Sequence, residues 1–174
     1  MQTDLPKMDL SDSPTGCCPV FDPAPWNDRA FRFDDLLFIT ARTRSLFYIP
    51  LNMGKVMTRT QAAIDKAGAA DKDRYLMLSE DISKFRAEHH ILVTREVPGF
   101  KTERLEGRWY ARVFEGPFSR TGQWYAELNR TMEEKGKKPD RILAFYTTCP
   151  GCAKEYGKNY VVLFGHLPPE QPLA

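Results

Sequence analysis

The chain has 174 residues, 42% hydrophobic and 28% charged, which suits one domain or two small units sharing a core. Lys plus Arg number 25 against 23 Asp plus Glu, and a net charge of +2 is too balanced for a phosphate-backbone binder, so nucleic acid is not an expected partner. No apolar run approaches the roughly 18 residues of a membrane helix, and the amino terminus lacks a signal peptide's basic-then-apolar order, so a cytoplasmic protein with no membrane partner is expected.

Residues 1–16 are polar and aperiodic, with Pro6 and Pro14, and are expected to form a mobile tail. Pro19 to Trp26 (PVFDPAPW) adds three prolines, which predicts an extended segment pinned to the surface by Phe21 and Trp26; residues 1–30 then form one mobile or extended lead-in. Asp28 to Asp34 (DRAFRFD) reads as a short edge strand. Phe38 to Leu51 reads as a long apolar strand broken by Pro50, followed by a helix over roughly Lys55 to Ala67 with Val56, Met57, Ala63 and Ile64 on one side. Asp73 to Leu78 and Glu88 to Thr94 read as two further strands.

Gly107 to Gly136 carries the clearest pattern. Trp109 to Phe114 is aromatic and β-branched, and Gly116-Pro117 ends that strand. Ser119 is placed to cap a helix in which Trp124, Leu128 and Met132 recur at a spacing of four, and Gly136 closes it. Arg141 to Thr148 and Asn159 to Phe164 are strands, joined by a cysteine-bearing turn, and Pro168 to Ala174 is expected to be a disordered tail. The order β-α-β-β thus occurs twice, at about residues 37–97 and about 106–167, within a domain spanning about 31–167. The predicted fold is α+β: tandem repeats with pseudo-twofold symmetry, an antiparallel sheet and two main helices with a ligand groove between them.

The four cysteines admit several readings. Cys17, Cys18, Cys149 and Cys152 could hold zinc through four thiolates, although adjacent cysteines make awkward co-ligands. A redox dithiol fits poorly, because such a CxxC opens a helix whereas a strand is expected a few residues on. A disulfide is disfavoured in a reducing compartment. The simplest reading is reduced cysteines packed as small apolar residues, with no metal and no cofactor.

His89 and His90 fall in one strand and point to opposite faces, so they cannot share a metal. No Ser-His-Asp order, phosphate loop or helical HExxH is present. What remains is a groove lined by Met57, Trp109, Tyr110, Phe114, Trp124 and Tyr125, with Tyr146 and Tyr160 from the strands. Alternation places Glu88, His90 and Leu92 on one strand face, and a carboxylate such as Glu88 in an apolar groove could activate water. The plainer alternative makes most of the aromatics core and Glu88 a solvated strand residue.

Gly107 to Phe118 (GRWYARVFEGPF) resembles the strand-turn signature of the gyrase-inhibitor-like small-molecule-binding family, and the tandem β-α-β-β order resembles that family's fold over roughly residues 31–167. The CCPVFDP start, Val97-Pro98 and the run from Thr147 to Val162 look like a stand-alone bacterial branch labelled hydrolases. The chain departs from the pattern at Trp109 and Arg112, and no fused DNA-binding domain is expected. The resemblance implies an aromatic groove with a buried acid for flat, hydrophobic, often cationic compounds. Some relatives open cyclopropane-bearing (cyclopropanoid) DNA alkylators with water, a detoxifying activity. Carried over, Glu88 activates water, while Tyr146 or Tyr160 donates to the substrate's conjugated carbonyl. A binder that sequesters a hydrophobic aromatic small molecule without chemistry, a protein-interaction role such as gyrase protection, and a haem carrier are the other readings. Monomer and homodimer are both compatible with the sequence.

Overall fold

A computed structural model describes residues 4–169. Its elements run β1 (Arg29–Leu46), β2 (Ile49–Pro50), α1 (Met53–Ala67), β3 (Met77–Ser83), β4 (Arg86–Leu92), β5 (Lys101–Glu115), a 3₁₀ turn (Phe118–Arg120), α2 (Thr121–Glu134), β6 (Ile142–Tyr146), α3 (Pro150–Tyr156) and β7 (Tyr160–Leu167). The chain divides into two compact units, one of residues 35–105 and one of residues 1–34 with 106–174; the long strands β1 and β5 each run through a boundary. The fold is mixed α and β with antiparallel pairing.

In the unit of residues 35–105, β4 lies between β1 and β3 and pairs antiparallel with both. One face of these strands carries Ile39, Ala41 and Ile91, which pack with Ile64 of α1 and with Val56, Met57 and Ala63. Gly68 takes a left-handed φ of 58°, and its N–H and that of Ala69 bond back to the carbonyls of Asp65 and Ile64, so the helix ends there. The strand expected over Phe38 to Leu51 starts earlier and ends earlier. It absorbs the predicted edge strand, then reverses at Phe47 and Tyr48, both at positive φ, so that Ile49–Pro50 pairs back on Ser45 and Leu46. The third strand runs from Met77 to Ser83 rather than from Asp73 to Leu78, and a tight turn at Lys84 and Phe85 joins it to β4.

In the other unit β7 lies between β5 and β6, again antiparallel to both. Helix α2 buries Trp124, Leu128 and Met132 against Tyr110 and Phe114 of β5, Ala144 of β6 and Val161, Leu163 and Leu167 of β7. Each large side chain buried this way contributes about 1.5–3 kcal/mol. Gly165 makes the close approach possible: a Cβ there would sit 2.5 Å from the Met132 sulfur. Ser119 does not cap α2. It lies inside the 3₁₀ turn, whose carbonyl at Phe118 accepts the Thr121 hydroxyl, and α2 begins without a side-chain cap. Gly136 closes it as expected, its N–H reaching Glu133 while Lys137 reaches Met132.

Of the chain's less regular parts, one expectation needs correction and one is met, Phe21 and Trp26 pinning the segment that leads into β1. The cysteine-bearing turn is a helix, α3, with Pro150 at its first position, Cys149 at its N-cap and Gly157 at a φ of 68° after it. The amino-terminal segment, where described, is attached: Leu5 is buried, Val20 donates to Asp12, and Phe21 and Trp26 are buried against Phe145 at ring distances of 6.0 and 5.7 Å. Residues 1–3 and 170–174, parts of the two expected tails, lie outside the described residues.

Candidate functional site

The strand β4 sorts its residues by alternation into two faces with different chemistry. On the face toward α1, His89 is buried, its Nε2 2.9 Å from the Thr43 hydroxyl and its Nδ1 2.8 Å from the Ser79 hydroxyl. Burial, with the neighbouring His90 adding to it, pulls the His89 imidazole down to about 4. This histidine is therefore a neutral link between polar groups of three strands at physiological pH.

The opposite face is charged. Glu88 and His90 project there, with Arg42 and Thr40 opposite them on β1 and Glu80 and Leu78 opposite them on β3. The Arg42 Nε donates to Glu88 Oε1 at 2.8 Å, and the Glu88 side chain keeps 17% of its surface exposed. His90 is only 1% exposed; its Nδ1 is 2.9 Å from Glu103 Oε2 and its Nε2 3.8 Å from Glu80 Oε2. Two carboxylates thus meet a buried imidazole, and a third is paired with a guanidinium on the same strand face, within a single unit. Like charges directly opposed across strands, as at Glu80 and Glu88, cost stability unless something binds there. Chemically the arrangement offers a partly exposed carboxylate oriented by a guanidinium.

The sequence pointed to Glu88 but missed Arg42, Glu80 and Glu103. Cross-strand register brings the first two to Glu88, and that register follows from a turn without the usual Gly or Pro punctuation. Glu103 lies in the part of β5 that precedes the recognised signature.

The expected groove aromatics fall into distinct settings. Tyr110, Phe114 and Trp124 are buried in the core between α2 and the sheet, Phe114 stacking on Trp124 at 5.8 Å, while Tyr125 packs against that core half-buried. The Tyr110 hydroxyl donates to Asp28 at 2.6 Å, and burial together with that carboxylate pushes its phenol up. Trp109 faces the other way, stacked on Phe33 at 5.3 Å and against His166 at 4.8 Å. Met57 packs half-buried on the core beneath α1. Tyr146 lies on the α2 face beside Phe118, whereas Tyr160 lies on the opposite face beside Phe21. The two tyrosines therefore cannot both donate to one substrate carbonyl.

The four cysteine sulfurs come together in the unit of residues 1–34 and 106–174, all within 4.8 Å of one another. The Thr15 hydroxyl draws the Cys152 thiol down to about 7, and burial pushes the Cys18 thiol up.

The family model described as Bacterial hydrolase matches residues 8–167. The chain belongs to the Bacterial hydrolase family. Among solved structures, a hydrolase from Listeria innocua is 14% identical with a TM-score of 0.56, covering 82% of this chain and 93% of that one. A second Listeria innocua hydrolase is 16% identical with a TM-score of 0.55, covering 81% of this Bacterial hydrolase chain and 92% of its own. An uncharacterized conserved protein from the same organism is 16% identical at 0.56, covering 82% and 92%. At such identities the likeness is one of fold. No curated protein matches the chain. Among the described residues no helix of this Bacterial hydrolase member is long and apolar enough to cross a membrane.

Proposed function

We propose that this protein is a small-molecule hydrolase acting on a hydrophobic, electrophilic or cationic compound, with Glu88 as the group that activates water. The observation that carries the reading is the charged face of β4, where Glu88 is held by Arg42 and the neighbouring buried His90 is met by Glu103 and Glu80. The arrangement favours ligands carrying or developing positive charge. Arg42 holds Glu88 through Oε1, which orients the carboxylate while Oε2 stays outside that bond. His90 and Glu103 brace the neighbouring position in the strand.

For a substrate bearing a cyclopropane conjugated to a carbonyl, the class implied by the gyrase-inhibitor-like signature, the step is an addition of water. Glu88 takes a proton from water, the water oxygen bonds to a ring carbon, and a ring C–C bond breaks. The freed electron pair passes to the conjugated oxygen, which then receives the proton. Ring strain supplies much of the driving force, so one placed base is a sufficient catalyst. The family membership supports hydrolysis, and the signature at Gly107 to Phe118 supports the substrate class.

The purified protein is incubated with a cyclopropane-bearing indole alkylator and the product followed by mass. A gain of one water, lost by about a hundredfold or more in Glu88→Gln, is the expected result. Full turnover by Glu88→Gln removes Glu88 from the mechanism. An unchanged mass with the compound retained in equilibrium dialysis makes the protein a binder rather than an enzyme.

A further inference from the structure

The four cysteines come from two remote stretches of chain, yet their sulfurs converge. Cys17 Sγ lies 3.7 Å from Cys18 Sγ and 3.9 Å from Cys149 Sγ, and all four sulfurs fit within 4.8 Å. Four thiolates at about 2.3 Å from a tetrahedral zinc stand about 3.8 Å apart. A disulfide brings only two sulfurs together, at about 2.05 Å, and leaves the other pair no reason to gather at the same point. Hydrophobic packing does not account for the cluster either, since Cys17 and Cys149 are exposed.

Polar groups close on three of the sulfurs. The Cys149 N–H points at Cys18 Sγ at 3.3 Å, and the Cys152 N–H points at Cys149 Sγ at 3.5 Å. Thr15 Oγ1 lies 3.1 Å from Cys152 Sγ. The objection that adjacent cysteines make awkward co-ligands is answered by the backbone. Gly16, at a φ of 67°, and a bond from its N–H to Ser13 turn the chain immediately before Cys17, so the next two side chains leave a bend rather than an extended strand. The Tyr156 hydroxyl, within 3.0 Å of Thr15 Oγ1 and bonded to the Cys18 carbonyl, fastens that bend to α3.

We propose that Cys17, Cys18, Cys149 and Cys152 form a tetrahedral zinc site that fastens the amino-terminal segment to the connection between β6 and β7. All four positions are taken by protein sulfur, so the site is closed and structural; it leaves no position for a substrate. Soft thiolate ligands in a tetrahedral set select zinc or iron over magnesium or calcium. Zinc enters as a divalent ion, and each bound thiol gives its proton to solvent, up to four per ion. No electron moves. The metal's role is to hold residues 15–18 against α3, which keeps Phe21 and Trp26 of the same segment seated on Phe145. The inference is independent of any hydrolytic role for Glu88.

The test uses the full chain, purified without chelator and analysed for metal. One zinc per chain is expected, together with intense sulfur-to-metal absorption after exchange for cobalt and proton release on titrating the demetallated protein with zinc. Cys17→Ser changes an exposed ligand and should fold. Its zinc affinity should fall by at least about a hundredfold, beyond what loss of a supporting outer contact does. A metal-free protein with four titratable thiols, a mass lower by two hydrogens per bridge, or a red iron-bound protein would each overturn the zinc site. So would a Cys17→Ser protein that keeps the wild-type affinity. If Cys17→Ser is insoluble, Cys149→Ser removes the other exposed ligand, and wild-type zinc affinity in that variant overturns the site equally.

Discussion

The buried His89 makes the protein's stability sensitive to mild acid by a calculable amount. Its imidazole sits between the Thr43 and Ser79 hydroxyls with 2% of the residue exposed, and its proton affinity drops from the ordinary 6.5 to about 4. The sign follows from linkage. The unfolded chain binds a proton as pH falls through 6.5 while the folded chain declines it, so stability present above pH 6.5 is progressively lost down to about pH 4. At ~1.4 kcal/mol per pH unit the full loss is on the order of 3 kcal/mol, and at pH 5 it is about 2 kcal/mol. Urea unfolding at pH 8 and pH 5 reads this directly. With a slope of about 2 kcal/mol per molar, His89 alone moves the midpoint by roughly 1 M. Carboxylates titrate as well, so the decisive quantity is the difference between wild type and His89→Asn. The variant starts less stable at pH 8, yet its midpoint should fall less between the two pH values, by roughly 1 M. Equal falls in the two proteins would show that His89 is not the proton-excluding group and would sink the reasoning.

Trp124→Ala should cost about 3–5 kcal/mol, because the ring fills the core between α2 and the sheet and stacks on Phe114; thermal unfolding checks it, and a loss under about 1 kcal/mol would mean the ring lines a cavity instead. Gly107→Ala should cost about 1–3 kcal/mol, since its φ of 95° disfavours a side chain and a Cβ there would meet His166 Nε2 at 2.8 Å. Combining it with His166→Ala should recover the steric part of that cost, as read in a double-mutant cycle.

Much of the fold was legible where apolar periodicity and Gly or Pro punctuation coincide. Trp124, Leu128 and Met132 mark α2, Gly136 ends it, and Gly116-Pro117 ends β5. Alternation also placed Glu88 and His90 together and His89 on the reverse face. The failures have specific causes. The turn at Lys84 and Phe85 contains no residue that signals one, so the β3 and β4 boundaries slid by several residues and the partners of Glu88 stayed hidden. Helix α3 spans only Pro150–Tyr156, too short for periodicity to register, although proline at its first position and Gly157 after it were the available signals. Missing that helix also weakened the case for the cysteines: a CxxC at a helix start presents its sulfurs in a way that a plain hairpin turn does not. Tyr110, Phe114 and Trp124 pack in a core, a setting that composition cannot separate from the lining of a cavity.

The two histidines of β4 show why the charged face, rather than the aromatic content, carries the functional argument. His89 is satisfied by two hydroxyls and adds no charge, which is how a buried polar residue is accommodated when only structure is at stake. His90, one residue on and equally buried, is instead met by the carboxylates of Glu103 and Glu80, with Glu88 set opposite Glu80 across the strands. Partly desolvating these carboxylates costs free energy that apolar residues of similar volume would not incur. Arg42 offsets part of the cost, but its side chain is 60% exposed, so as an ion pair it contributes little to stability, typically under about 1 kcal/mol. The strand thus carries a neutral, hydroxyl-satisfied histidine on one face and a charged set on the other, the face on which the proposed role of Glu88 rests. Of the uses open to it, orienting a carboxylate toward water beside an electrophile is the one that also fits a hydrolase family.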